Sequence, residues 1–219
     1  MTATVIPSRT HSVSFTTWTV ALLLPVGPVA IAFLRLLLPY YTADGTSGIV
    51  ASVQAHPGRQ SAVLWLAYVG ILTLVPGLYA AAGVCRDAAP RLTAWALALA
   101  VPGYLSMGMF LGADHVLWSV TDAGLSAADS AAVVEAGHPS IDVAIGVFVL
   151  GHVVGTVLLG LALLRSGRIP AWAAWAVAVS QPLHFVATVI LGSPQVDFVA
   201  WMLTAVGLAV VARVILRGR

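Results

Sequence analysis

WTVALLLPVGPVAIAFLRLLLP, Trp18 to Pro39, decides how the rest of the chain is read. Within it, Ala30-Ile31-Ala32 resembles the cleavage site that ends a secretion signal. A signal core is only about 7–15 apolar residues long. This run continues past the candidate site as far as Pro39. It matches instead the roughly 20 apolar residues that cross a hydrocarbon core. It is therefore read as a retained first transmembrane helix.

Composition extends that reading to the whole chain. Of 219 residues, 60% are hydrophobic and 8% charged, against about 45–50% and about 25% in ordinary soluble domains. No soluble fold of this size buries so much apolar surface, so lipid is the expected solvent. Five more runs meet the length criterion, giving Trp18–Pro39, Ala62–Val84, Thr93–Ala113, Ile141–Leu164, Pro170–Gly192 and Phe198–Leu216. The expected fold class is an all-α membrane protein, a six-transmembrane-helix bundle in one domain, residues 18–216. Residues 1–17 form an N-terminal segment and 217–219 a tail. The connections at 40–61 and 114–140 are long, and Leu125–Ala136 reads as a short helix in the second. Ser126 with Asp129 approximates a capping box there, and Gly137 is a suitable stop.

Orientation follows from the arginines, since the chain has no lysine. Arg9, Arg86, Arg91, Arg165, Arg168, Arg213, Arg217 and Arg219 fall on one side; only Arg59 falls on the other, with Arg35 inside the first span. Positive residues mark the cytoplasmic side, so both termini are expected there, in a bacterial cytoplasmic membrane. Asp87 is the one acidic residue on that side; the other seven lie at the outer end.

The spacing also suggests three repeated helical hairpins. Trp18 and Pro25, Trp95 and Pro102, and Trp175 and Pro182 are each seven apart, and His-Pro precedes the second and fourth spans. A proline inside a helix frees a carbonyl and kinks it. Three kinks at one depth are expected to splay the outer halves and open a cavity outward.

Ionisable groups inside a membrane are costly, so each is a candidate site residue. Arg35 either snorkels to the headgroups or faces a carboxylate or an anionic substrate group. His152, in Gly151-His-Val-Val-Gly155, lies about 16 Å below the outer edge, and the small residues around it equally suit a close helix contact. Ser180, Gln181, His184 and Thr188 share one face of the fifth span, which suits either a hydrogen-bonded seam or a pocket wall. Asp142 and Asp197 open the fourth and sixth spans, where the helix dipole alone favours acids. Asp114 and His115 follow the third span; being about 100° apart on a helix, they cannot both face one cavity, and Asp114 is expected to be the inward one. Asp114, Asp142, His152, His184 and Asp197 are the candidate catalytic groups. Arg35, Trp65, Tyr68, Phe110, His115, Trp118, Phe148, Gln181, Phe185 and Trp201 are the candidate substrate-binding ones. Acids, imidazoles and aromatic rings at one depth describe a pocket.

No Walker loop, GxSxG or HExxH occurs, and without lysine no retinal Schiff base can form. The single cysteine, Cys85, excludes an internal disulfide and a multi-cysteine metal site, and no metal or nucleic-acid partner is expected. Three readings remain. The first is an enzyme on a lipophilic substrate, a prenyl chain protonated by Asp or His and its carbocation held by aromatic faces. The second is a cytochrome with haem between His152 and His184, whose depths differ by about 4 Å. The third is a transporter or binder of a small solute.

The stretches AHPGRQSAVLWLAYVGILTLVPG (Ala55–Gly77) and GHVVGTVLLGLALLRSGRIPAWAAW (Gly151–Trp175) resemble a large group of small bacterial integral membrane proteins, over Ala55 to about Val186. The small bacterial membrane-bound indole-terpene cyclases are similar to this kind of protein. That resemblance implies cyclisation of a prenylated indole started by protonation, with no cofactor. It assigns no residue, because the shared stretches are mostly the apolar pattern of membrane helices.

Overall fold

The computed structural model describes residues 14–41 and 44–218. Arg9, His11, Arg219 and most of the expected N-terminal segment lie outside them. The described chain is all-α. Six helices are long and apolar enough to cross a membrane. These are α1 (Phe15–Leu37), α3 (Pro57–Cys85), α4 (Pro90–Asp122), α6 (Ser140–Ser166), α7 (Ala171–Phe185, continued by a π-helical stretch Val186–Leu191) and α8 (Pro194–Leu216). Two short helices, α2 (Gly45–Ala55) and α5 (Ala127–Glu135), lie between them. The chain is thus a multi-pass membrane protein.

The six spans follow one another round a ring in chain order, α1 on α3, α3 on α4, α4 on α6, α6 on α7 and α7 on α8, and α8 closes it on α1. Apolar surface gains nothing by leaving lipid, so close backbone approach supplies the cohesion. Glycines make that approach possible. A Cβ on Gly151 would sit 2.6 Å from the Leu99 carbonyl oxygen, and one on Gly155 2.5 Å from the Ala100 nitrogen, so α6 lies directly on α4. Gly160 meets Ala178 of α7 in the same way, and Gly207 of α8 meets Ala173. The small-residue motif around His152 is therefore a packing seam.

Hydropathy marks where lipid ends, not where a helix ends. α3 starts at Pro57, with the proline at its first turn, five residues before the apolar run. α4 continues nine residues past Ala113, so Asp114 and His115 lie within a helix. The extra turns of α4 bury Leu117 against Val50 and Val53 of α2, with Tyr40, Ile49, Ala131 and Val134 packed around them. That small second core explains α2, which the apolar pattern alone does not predict. Its glycine-containing, weakly patterned sequence helps little on its own, and packing decides it. α5 forms as expected, with Ser126 accepting from the Asp129 nitrogen at 3.1 Å and donating to its carboxylate at 2.6 Å. Gly137 is not its left-handed stop; Gly124, before α5, takes φ +71° instead.

The three matched prolines do not act alike. Helix α1 runs through Pro25 and α4 through Pro102 without a change of helix type. Only after Pro182 does the chain widen, into the π-helical stretch that Gly192 closes at φ +57°. The freed carbonyl in the preceding turn accounts for the difference only together with His184, Thr188 and their partner on α8, described next.

Candidate functional site

A cavity of about 790 Å³ occupies the acidic half of the ring. This falls within the roughly 300–1,000 Å³ of small-molecule sites. Its walls are mainly aliphatic and aromatic, from all six spans and the π-helical stretch, with α3 adding only Ala67. Two polar groups interrupt them.

The first centres on Asp197. Ser193 caps α8 by accepting from the Val196 nitrogen at 3.4 Å, which places Asp197 in the first turn, where the helix dipole favours an anion. Its carboxylate is fully buried. Arg35 reaches across from α1, and its Nε donates to Oδ2. The Thr188 hydroxyl donates to the same oxygen at 3.1 Å and the Tyr41 hydroxyl at 3.5 Å. The Tyr41 ring also lies 5.4 Å from the guanidinium carbon. The other oxygen, Oδ1, accepts from His184 Nδ1 at 2.5 Å. A carboxylate on Nδ1 fixes the tautomer, and Nε2 is left for the cavity that His184 lines. Trp201 packs edge-on against that imidazole, ring centroids 5.4 Å apart. The acid therefore orients the imidazole, and Arg35 balances the acid's charge.

The second group centres on Asp114. Helix α4 carries it to the wall, and both donors, the Tyr40 hydroxyl and Gln60 Nε2 (3.3 Å), use the same oxygen, Oδ1. Among the described residues Oδ2 has no partner. Both donors are neutral. Burial, then the neighbouring Asp114 carboxylate, pushes the Tyr40 phenol well above its ordinary pKa, so it stays a donor.

Beside His184 in the same lining lies His152, 1% exposed. Its Nδ1 donates to the Phe148 carbonyl of its own helix, so Nε2 is a bare acceptor, and it is buried without a protein partner. Phe148 stacks on the imidazole at 4.0 Å, Trp201 lies parallel to it at 6.4 Å, and His184 is 5.4 Å away. Phe110 meets Phe148 edge-on at 5.2 Å. The cavity is thus an aromatic slot with a carboxyl on one wall and an oriented imidazole on another.

Of the expected site residues, Arg35, Phe110, Asp114, Phe148, His152, His184, Phe185 and Trp201 line the cavity, and Asp197 lies directly behind it. Others are elsewhere. Asp142 is exposed in the first turn of α6. His115 is exposed and bonded to the Leu111 carbonyl at 3.0 Å. Trp65 and Tyr68 are 70% and 50% exposed on the outer surface of α3. Trp118 is half-buried on the extension of α4, away from the lining. Gln181 is buried but bonds Thr204 of α8 at 2.9 Å, and Thr204 donates to Ser180 at 2.7 Å, a seam between helices. Tyr40, Tyr41 and Gln60 join the site from the long 40–61 connection, outside the expected spans. Their only signal was polarity beside an apolar run. Among the described residues no group of three His, Cys, Asp or Glu is placed to hold a metal ion.

Fold and cavity together define a class: a small six-span α-helical membrane protein with an aromatic pocket and two separate acid groups. The chain matches no protein-family model, no curated protein and no solved structure.

Proposed function

We propose that this protein is a membrane enzyme that acts on a lipophilic, prenylated substrate by acid-initiated carbocation cyclisation or isomerisation, in a bacterial cytoplasmic membrane. One observation carries the reading. A single aromatic cavity is lined both by a carboxyl with a free oxygen and by a carboxylate-oriented imidazole. Those are the two groups that a proton-in, proton-out reaction needs.

In this scheme Asp114, in its acid form, gives its proton from Oδ2 to an alkene carbon. A C–H bond forms, the π bond breaks, and its neighbour becomes cationic. The cation faces Phe110, Phe148 and Trp201, whose ring faces stabilise positive charge. Attack by a second double bond or ring closes a C–C bond, or the cation forgoes this step. His184 Nε2 then takes a proton from the carbon next to the cation, and the C–H electrons form the new double bond. The product is an isomer of the substrate, and the proton returns from His184 to Asp114 through solvent. His152 Nε2 accepts a hydrogen bond from the substrate's polar group and positions it.

The test starts with mass spectrometry of lipids that co-purify with the protein, to supply a substrate. Turnover is then compared in Asp114→Asn and His184→Ala, both reconstituted in vesicles. Loss of turnover in both, with insertion intact, is expected. Full activity in either overturns the assignment of that group, and full activity in both overturns the reading.

Both imidazoles of the haem alternative do line this cavity. A macrocycle between rings 5.4 Å apart would have to separate them and unstack Phe148 from His152. A Soret band in the purified protein would nevertheless decide for haem.

A further inference from the structure

We infer that the cavity is loaded sideways, from the lipid, through a gap between α6 and the π-helical end of α7, and that what passes is the apolar chain of a membrane amphiphile. This rests on the cavity itself and deepens the proposed function by fixing the phase that delivers the substrate.

Three observations point there. First, the same side chains belong to the cavity and to the outer surface. Val189 and Ile190 line the cavity while 63% and 68% exposed, and Ile145 faces them from α6 as a lining residue that is also exposed. A residue open on both sides marks a mouth. Second, the packing separates there. Gly160 holds α6 against Ala178 in the inner half. Beyond Pro182 the π-helical stretch packs on α7 and α8, with no comparable packing on α6. Third, the other route is covered. The outer end of the bundle carries the layer of α2 and α5, which packs round Tyr40, itself a wall of the cavity.

The mouth is apolar and belongs to helices that span the membrane, so lipid chains face it. A π-helical stretch is a wide, weakly bonded form of helix that recurs at functional positions. Here it holds Thr188 inward on Asp197 while turning Val189 and Ile190 to the mouth. Binding at the polar group and width of the mouth are thus set by one segment.

The experiment uses the full chain in phosphatidylcholine vesicles containing a long-chain alcohol with a diazirine at its tail. After illumination, cross-linked peptides are mapped by mass spectrometry. Cross-links are expected at interior lining residues, Leu34 and Met107, as well as at Leu72 on the outer surface of α3. Ile145→Trp with Val189→Trp is expected to cut interior cross-linking at least fivefold and leave Leu72 unchanged. The milder Val189→Met, which folds more readily, is expected to cut it about twofold. If Leu72 is cross-linked and the interior is not, the portal is wrong. It is also wrong if interior cross-linking persists undiminished in the variants, because the chain then arrives from the aqueous end. The readout is independent of turnover. Interior labelling without activity in any assay would leave the portal standing and remove the enzyme, and the reverse outcome would do the opposite.

Discussion

Asp114 lines the cavity and Asp197 lies directly behind it, and their surroundings differ in kind. Asp197 is saturated: a guanidinium, two hydroxyls and an imidazole occupy both oxygens. Asp114 is bonded on one oxygen only, by a phenol and an amide that carry no charge. Surroundings of the first kind hold an anion still and orient its neighbour. Surroundings of the second kind leave an oxygen free to exchange a proton. One residue type thus takes two roles, set by its partners.

The contrast breaks most sharply on activity. A general acid contributes about 10²–10⁴-fold, so Asp114→Asn is expected to lower turnover about 10³-fold, equivalent to about 4 kcal/mol. Its melting temperature in detergent is expected to stay within about 2 °C, because the amide keeps the bonds to Tyr40 and Gln60. A large loss of stability without loss of turnover would make Asp114 the structural acid instead.

Asp197 is expected to behave the other way. Removing one partner of a buried ion pair costs about 3–5 kcal/mol, because the remaining charge is stranded. Asp197→Ala is therefore expected to unfold at markedly lower temperature, and Arg35→Gln with Asp197→Ala to recover part of that loss. Thermal unfolding of the singles and the double gives the coupling. Additive losses would mean that the pair is not an energetic unit.

The two acid groups also differ in how far they could be read from sequence. Arg35, His184 and Asp197 stand out as polar residues inside or at the edge of apolar runs, and their depth brings them together. Asp114 was expected inward and is, but for an incomplete reason. The helix does not end there, and its partners Tyr40 and Gln60 come from outside the predicted spans. The six spans were readable because lipid imposes a length and a polarity on each. The helix ends, α2 and the second core were not, since in water tertiary packing rather than hydropathy sets them. The Trp–Pro spacing is real in sequence, yet only Pro182 changes its helix. A local breaker acts when its surroundings supply another arrangement, here the bonds from His184 and Thr188 to α8. Asp142, Trp65 and Tyr68 had the right depth but the wrong face, which depth alone does not specify.

His152 lines the same cavity beside His184 and is expected to show an intermediate effect. If its bare Nε2 receives a donor from the substrate, His152→Phe keeps the stacking and removes one hydrogen bond, worth about 0.5–1.5 kcal/mol net. KM is then expected to rise about 3–10-fold with kcat little changed. A fall in kcat alone would place His152 among the groups that move the proton.

The smallest expected effect probes the neutral wall once more. Gln60 donates one weak bond to Asp114, and its own Oε1 is buried without a partner. Gln60→Leu removes both a bond and an unsatisfied acceptor. The two changes oppose each other, so stability is expected to move by less than about 1 kcal/mol. Turnover is more informative. Losing one of two donors on Oδ1 leaves Tyr40 alone to hold the Asp114 carboxyl, so kcat is expected to fall by no more than about tenfold, the equivalent of one hydrogen bond. If Gln60→Leu instead matched Asp197→Ala in lost stability, the Asp114 wall would be a second structural anchor, and the difference between the two acids would disappear.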